Sequence, residues 1–161
     1  MIVVADTSVL INLCRVGEED LLVKLFREVV IPPEVGEEFI RLACEVSRFQ
    51  GLSLPQWVRQ HSASAIPEII SAAPGLDPGE TAALSLALEI QADAILVDER
   101  RGQQVAAALG LATIGILGIL LQAKTSGLLS DLRPVLDRLE REAQFWISAS
   151  LRDRVLRLAR E

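Results

Sequence analysis

Tyrosine is absent from this chain, and four phenylalanines and two tryptophans are its only aromatic residues. Since half of the 161 residues are hydrophobic, the core must be mainly aliphatic. Two cysteines, Cys14 and Cys44, and one histidine, His61, are too few for a disulfide framework or a zinc site. We expect two free, buried thiols and a solvated histidine, which leaves little basis for Ser-His-Asp or Cys-His catalysis.

An excess of positive charge is also missing. The net charge of −6 argues against a broad phosphate-binding surface. It does not exclude a nuclease, because carboxylates that hold divalent cations are themselves a source of negative charge. No glycine-rich nucleotide loop is present. The most apolar segment, 109–121, is shorter than the roughly 20 residues that cross a membrane, and no basic leader is visible. We expect a soluble, cytoplasmic protein.

Short apolar runs alternate with helical stretches along the chain. The predicted strands lie at 2–5, 28–31, 94–97 and 112–114, with an edge strand at 57–60. Such alternation indicates a parallel sheet covered by helices on both faces, an α/β fold with three layers, α/β/α. The length favours one domain over residues 1–161, in which 126–161 form C-terminal helices that pack on the rest.

Two aspartates follow predicted strands directly. Asp6 ends the first strand and Asp98 ends a later one. Parallel strands place these ends at one edge of the sheet, where ligands usually bind. If the strands are neighbours, the two carboxylates come within reach of a bridging metal. Either residue taken singly could instead cap the helix that follows it.

Two adjacent glutamates on the third helix are separated by helix geometry. Glu38 falls on the flank of the apolar face, from which it could reach the sheet edge. Glu37 falls almost opposite, and we expect it to be solvated and paired with Arg41. Glu38 could also be an ordinary surface residue.

Glu80 has two interpretations. Asp77 at N-cap, Pro78 at N1 and Glu80 at N3 form a capping arrangement that needs no function. Glu80 nevertheless lines up with Leu84 and Ala87 on a stripe that is predicted to be buried, and both interpretations stay open.

Two arginines, Arg100 and Arg101, follow Asp98 and could steer a phosphate backbone; a solvated helix start explains them equally well.

The ordered set of motifs resembles the PIN-domain (PilT N-terminus) family of metal-dependent nucleases. It is most similar to a bacterial and archaeal subfamily related to VapC-type toxin ribonucleases. The resemblance spans most of the chain. The matching segments are Asp6-Thr7-Ser8 with Leu10-Ile11, Val30-Ile31-Pro32 with Val35 and Glu38-Phe39, Leu76-Asp77-Pro78-Gly79-Glu80, Leu96-Val97-Asp98-Glu99-Arg100-Arg101-Gly102, and Thr113-Ile114-Gly115 with Leu117-Gly118.

The resemblance implies a site and a chemistry. Carried over, the catalytic and metal-binding acids are Asp6, Glu38, Glu80 and Asp98, with Ser8 as a supporting hydroxyl. Carboxylate oxygens suit Mg²⁺ or Mn²⁺. The implied activity is a metal-dependent endoribonuclease that hydrolyses RNA phosphodiester bonds, in one branch as the toxin of a toxin–antitoxin pair. The implied partners are RNA, a second copy of the chain through the apolar run 116–121, and a small antitoxin protein.

Two alternatives remain at this stage. A phosphotransferase could use Asp6 as nucleophile, but enzymes of that design want a second acid two residues later, where this chain has Ser8. A PIN-like fold could also bind RNA or protein without cutting it.

Overall fold

Five parallel strands form one sheet in the order β3-β2-β1-β4-β5. The computed structural model describes residues 1–161. The strands are β1 (Ile2–Ala5), β2 (Glu28–Ile31), β3 (Arg59–Gln60), β4 (Ala94–Leu96) and β5 (Thr113–Ile114). The helices are α1 (Thr7–Arg15), α2 (Asp20–Leu25), α3 (Pro33–Glu45), α4 (Glu68–Ser71), α5 (Pro78–Glu89), α6 (Arg100–Ala108), α7 (Ile116–Thr125), α8 (Arg133–Glu142) and α9 (Ala149–Leu158). The predicted three-layer α/β fold is confirmed.

The central strand β1 is apolar along its length because neither of its faces meets water. Val3, Val4 and Ala5 are fully buried. The strand pairs with β2 through Val4 and Val30, and with β4 through Ala5 and Leu96. The first strand and the strand predicted at 94–97 are therefore neighbours, which meets the condition set for bringing Asp6 and Asp98 to one edge of the sheet.

The helices pack in groups around this sheet. Helix α5 contacts β1, β4 and α3, whereas α7 contacts α2 and α9. Helix α5 carries buried residues around most of its circumference, as expected of an element that lies between the sheet and other helices. Helix α8 contacts α1, so the C-terminal helices pack on the rest of the chain.

The predicted boundaries hold to within a few residues, with two exceptions. The third helix ends at Glu45 instead of continuing to residue 49, because Val46 adopts an extended conformation before a 3₁₀ turn at Ser47–Phe49. The helix predicted at 65–73 is reduced to the four residues of α4, which begins after Pro67. Neither exception alters the sheet.

One of the two thiols is not where the sequence suggested. Both cysteines are free, but only Cys14 is buried, and burial raises the pKa of its thiol to about 12. Cys44 is exposed because it follows the buried Ala43 by one residue, a turn of 100° away from the apolar face of α3. His61 is exposed, as expected.

The apolar run 116–121 belongs mainly to the core of one chain. Ile116, Ile119 and Leu120 are fully buried, so they are not available as the face of a homodimer. Leu117 and Leu121 are half-buried. No helix is both long and apolar enough to span a membrane.

Helix α8 is fastened to the end of α1 by one arginine. The guanidinium of Arg138 donates to the Val16 carbonyl at 2.5 Å and to the Glu18 carboxylate at 2.8 Å. Arg15 and Glu142 form a second ion pair between the same two regions at 3.6 Å. These contacts fix the position of the segment that joins α8 to α9.

Replacing Arg138 by methionine should lower the free energy of unfolding by about 1–3 kcal/mol, because a charge-assisted hydrogen bond is lost and a carbonyl loses its donor. Urea unfolding measures this change. Arg141→Met is the matched control on the exposed side of the same helix and should change stability by less than about 0.5 kcal/mol. Equal effects of the two substitutions would contradict the role given to Arg138.

Candidate acidic active site

Asp6 lies at the carboxyl edge of the sheet, directly after β1. Its backbone N–H continues the ladder to β4 by donating to the Leu96 carbonyl at 2.9 Å. Although Asp6 occupies the N-cap position of α1, its side chain makes no capping hydrogen bond. The residue is only 4 % exposed. A buried carboxylate that does not cap its helix needs another explanation.

The environment of Asp6 opposes its negative charge. Burial, above all, raises the pKa of this carboxyl to about 7, and the nearby carboxylates of Asp77, Glu38 and Glu99 add to the increase. The Thr7 backbone N–H partly offsets the effect. Of the acids that act on Asp6, Asp77 and Glu38 are the strongest, rather than Asp98 on the neighbouring strand.

Helix α3 directs Glu38 inward and Glu37 outward. Glu38 is half-buried and Glu37 is exposed, as the helix geometry predicted. Burial and then Asp77 raise the pKa of Glu38, while Arg41 and the Thr7 hydroxyl lower it. The expected pair of Glu37 with Arg41 is wrong, because Arg41 lies 3.8 Å from Glu45 instead.

Glu80 combines the two interpretations that the sequence left open. Its backbone N–H donates to Asp77 Oδ1 at 2.7 Å, so Asp77 is the N-cap of α5. Glu80 as a residue is only 6 % exposed, and its Oε2 is buried without a hydrogen-bond partner. Burial, followed by the Asp77 carboxyl, raises the pKa of Glu80. A residue that only capped the helix would be solvated.

Asp98 follows Val97, which comes directly after β4, and its side chain points toward the start of α7. Its Oδ1 accepts the N–H of Ile116, the first residue of α7, at 3.0 Å. Its Oδ2 is buried without a hydrogen-bond partner. Burial, followed by the Glu99 carboxylate, raises the pKa of Asp98 to about 6, and the Ile116 N–H opposes the increase.

Three of the four acids lie directly against glycines. A Cβ on Gly79 would be 2.8 Å from Glu38 Oε2, one on Gly102 would be 2.8 Å from Glu80 Oε2, and one on Gly115 would be 2.7 Å from Asp98 Oδ1. No larger residue leaves this space. The backbone is therefore shaped to hold carboxylates at these places.

The four acids do not form a complete ion cage by themselves. No three acidic side chains converge closely enough to hold an ion together. Asp6, Glu38 and Glu80 share the neighbour Asp77, whereas Asp98 is held by α7. Their raised pKa values nevertheless mark a place where added positive charge would be stabilised, and the unpartnered Glu80 Oε2 and Asp98 Oδ2 are free to accept it. These donors fit a hard divalent cation.

A cleft of about 720 Å³ opens beside Asp98. Ser8, Asp98 and Arg100 contribute to its wall. The Ser8 hydroxyl has no hydrogen-bond partner, as suits a supporting polar group. Arg101 is engaged elsewhere, since its Nε donates to the Pro74 carbonyl at 2.7 Å. Of the two arginines, only Arg100 lines this cleft.

The sequence did not identify every charged or polar group of the site. Asp77 was assigned to capping alone, yet its carboxylate acts on three of the four acids. Thr7 is buried, and its hydroxyl approaches Glu38 closely enough to lower the pKa of that carboxyl. The position of Thr7 next to Asp6 was the available signal; for Asp77 the capping pattern concealed it.

A family model matches nearly the whole chain. The model DUF3368, described as a PIN domain, matches residues 2–161 of the chain. No curated protein matches the chain in sequence. The family match confirms the resemblance that the ordered acidic motifs carried.

The raised pKa of Asp6 predicts how stability depends on pH. Between the ordinary value of 3.8 and about 7, the folded protein keeps a proton that the unfolded chain releases, so stability falls as pH rises through this window. In EDTA, the free energy of unfolding of Asp6→Asn should be higher than that of the wild type by roughly 2–4 kcal/mol near pH 8. Near pH 3 the two proteins should have the same free energy of unfolding.

Urea unfolding at several pH values tests this expectation. Glu37→Gln removes an exposed acid one helix away and should follow the wild-type curve at every pH. If the plot of unfolding free energy against pH for Asp6→Asn runs parallel to that of the wild type, burial does not raise the pKa of this carboxyl.

Proposed function

The chain belongs to the PIN-domain family, and on this premise we propose that it is a metal-dependent ribonuclease that hydrolyses RNA phosphodiester bonds. The observation that carries the proposal is a set of four carboxylates from separate parts of the chain, two of them buried (Asp6 and Glu80) and two half-buried (Glu38 and Asp98), all with pKa values raised by desolvation. Carboxylates with strongly raised pKa values cluster at catalytic sites, because catalysis requires groups whose pKa is shifted by burial and by neighbouring charges.

The metal ligands in this proposal are Asp6, Glu38, Glu80 and Asp98. Bound Mg²⁺ or Mn²⁺ would supply a more acidic water and would offset negative charge on the phosphate. The unpartnered oxygens of Glu80 and Asp98 are the side-chain atoms best prepared for this role, since no hydrogen bond must be broken to use them.

Other residues position these acids. The Ile116 N–H holds one oxygen of Asp98 and leaves the other free, which fixes the plane of the carboxylate. Thr7 approaches Glu38, and Ser8 lies in the wall of the cleft with its hydroxyl buried and free of hydrogen bonds. Arg100 provides positive charge at the mouth of the cleft, where an RNA phosphate would approach.

The phosphotransferase alternative has no support at the place where it needs a second acid. The residue two positions after Asp6 is Ser8, and the acids that act on Asp6 come from α3, the turn before α5 and the turn after β4. The remaining alternative, a module that binds RNA or protein without cutting it, is separated from the nuclease by the cleavage assay below.

The proposal extends to the biological setting. A ribonuclease of this kind would be the toxin of a toxin–antitoxin pair in the cytoplasm, kept inactive by a small protein. A homodimer would use a face other than the buried run 116–121. Ile40 on α3 and Ile69 on α4 are exposed apolar residues that such a contact could cover.

Asp6→Asn and Asp98→Asn should each lower Mn²⁺-dependent cleavage of single-stranded RNA by about a hundredfold or more, because a charge that the metal requires is lost. The assay follows an end-labelled RNA on a denaturing gel. Glu37→Gln, beside Glu38 but exposed, should cleave at the wild-type rate.

Thermal unfolding of the protein without RNA tests metal binding separately from cleavage. Mn²⁺ at about a hundred times its Kd should raise the wild-type Tm by about 5–10 °C and leave Asp6→Asn nearly unchanged. A wild-type protein that cleaves no RNA and whose Tm does not change on addition of Mn²⁺ would favour the binding module over the enzyme.

Gly102→Ala should lower cleavage by about ten- to a hundredfold, since the new Cβ would meet Glu80 Oε2 at 2.8 Å and Val97 Cγ2 at 3.0 Å. Gly36→Ala is the matched control in α3. Its Cβ meets only the flexible side chain of Gln60, at 3.1 Å, and activity should be kept. Full activity of Gly102→Ala would mean that the position of Glu80 is not critical.

A further inference from the structure

One aromatic ring projects into solvent at the edge of the cleft beside Asp98 and Glu99, which we call the acidic cleft. Trp146 is 83 % exposed, which is the highest value among the large hydrophobic side chains of the chain. Together with Phe145 it lines the cleft that also contains Ser8, Asp98 and Arg100. The other tryptophan, Trp57, is half-buried, and its Nε1 donates to Asp20.

The ring is exposed although the chain on both sides of it is anchored. Phe145 packs against the core, and its N–H donates to the Leu139 carbonyl at 3.0 Å. Ile147, on the other side, is buried in the core. Gln144 adopts a left-handed conformation with φ of 55°, which turns the chain out of α8. The backbone therefore presents the ring of Trp146 from a fixed position.

The two helices that flank the ring are joined to each other. Arg152 on α9 forms ion pairs with Asp137 and, at 3.3 Å, with Glu140 on α8. Arg138 in turn fastens α8 to the end of α1, the helix that Asp6 begins. Because these contacts hold the backbone on both sides of Trp146 in place, only the side-chain rotamers of the ring are left to be ordered on binding.

The chemistry of the cleft indicates what the ring would meet. The chain carries a net charge of −6, and Arg100 is the cation among the residues that line the cleft. An RNA that approaches the acids therefore gains little from phosphate contacts at this edge. Stacking on an aromatic face does not depend on charge and contributes about 1–3 kcal/mol per base.

We infer that Trp146 is a stacking platform for an unpaired base of the RNA. The inference rests on the proposed ribonuclease function and names the side chain that would hold a base of its substrate. In a duplex, neighbouring bases cover the faces of each base, and the ring has nothing to stack on. Phe145 and Arg100 line the same cleft, and Arg100 is the residue there that would meet an adjacent phosphate.

Fluorescence of Trp146 tests the contact directly. In an Asp6→Asn, Trp57→Phe protein with Mg²⁺, Trp146 is the only tryptophan and cleavage is suppressed. A single-stranded RNA of mixed sequence, about ten nucleotides long, should quench its emission to saturation. The same RNA annealed to its complement should not. Equal quenching by both, or none by either, would overturn the inference.

Affinity provides the second measurement. Trp146→Ala should weaken binding of the labelled single strand by about 5- to 100-fold, and Trp146→Phe should restore most of it. Val23→Ala, at an exposed apolar residue that does not line the cleft, should leave the Kd unchanged. Because Trp146 is exposed, its removal should not change the Tm. An unchanged Kd for Trp146→Ala would refute the platform.

Three comparisons separate this inference from the proposed function and from other occupants. If wild-type protein cleaves RNA and Trp146→Ala has the same KM, the function stands and the platform fails. If wild type cleaves nothing but single-stranded RNA quenches Trp146, the platform stands and the nuclease fails. If sedimentation shows a dimer that Trp146→Ala dissociates, a second copy covers the ring and the inference is wrong.

Discussion

The parallel alignment of β1 with β2 and β4 is the constraint on which the site depends. Parallel strands place all their carboxyl ends at the same edge, so residues far apart in sequence meet there without long loops. Asp6 and Asp98 follow two of these strands directly. Glu38 and Glu80 arrive on helices α3 and α5, and α5 packs on the same two strands. If β1 were reversed, Asp6 would lie at the opposite edge from the other acids.

The cost of this convergence is electrostatic. Burial raises the pKa of each of the four acids, and neighbouring carboxylates raise them further. The aliphatic core supplies the surplus stability that tolerates this arrangement, since the strands beneath the acids are completely buried. Carboxyls whose negative charge is unfavourable are stabilised most by a ligand that brings positive charge, and this is the physical link between the fold and the proposed metal dependence.

Local hydrophobic periodicity predicted the fold and the positions of the acids. Contacts that depend on the direction of individual side chains were missed. Strand β1 and helix α3 have hydrophobic periods that only one structure satisfies, so Asp6 and the separation of Glu38 from Glu37 followed from local geometry. Contacts that depend on side-chain direction did not follow. The pairing of Arg41 with Glu45, the exposure of Cys44 and the engagement of Arg101 with a carbonyl depend on how neighbouring turns meet, which no local period encodes. Asp77 was concealed because a capping residue and an active-site residue have the same pattern.

An acidic protein that binds an anionic polymer must obtain affinity from something other than overall charge. In the proposed function, two local features supply this affinity. Divalent cations at the carboxylates would reverse the sign of the potential where the phosphate reacts, and this effect acts only at the metal site. The exposed ring of Trp146 would act on the bases, whose stacking is insensitive to the net charge of −6. Both features are short-range, so binding should depend less steeply on salt than it does for a protein with a broad basic surface. Discrimination then follows from geometry, because the two contacts can be made together only by an RNA whose base and backbone are both accessible.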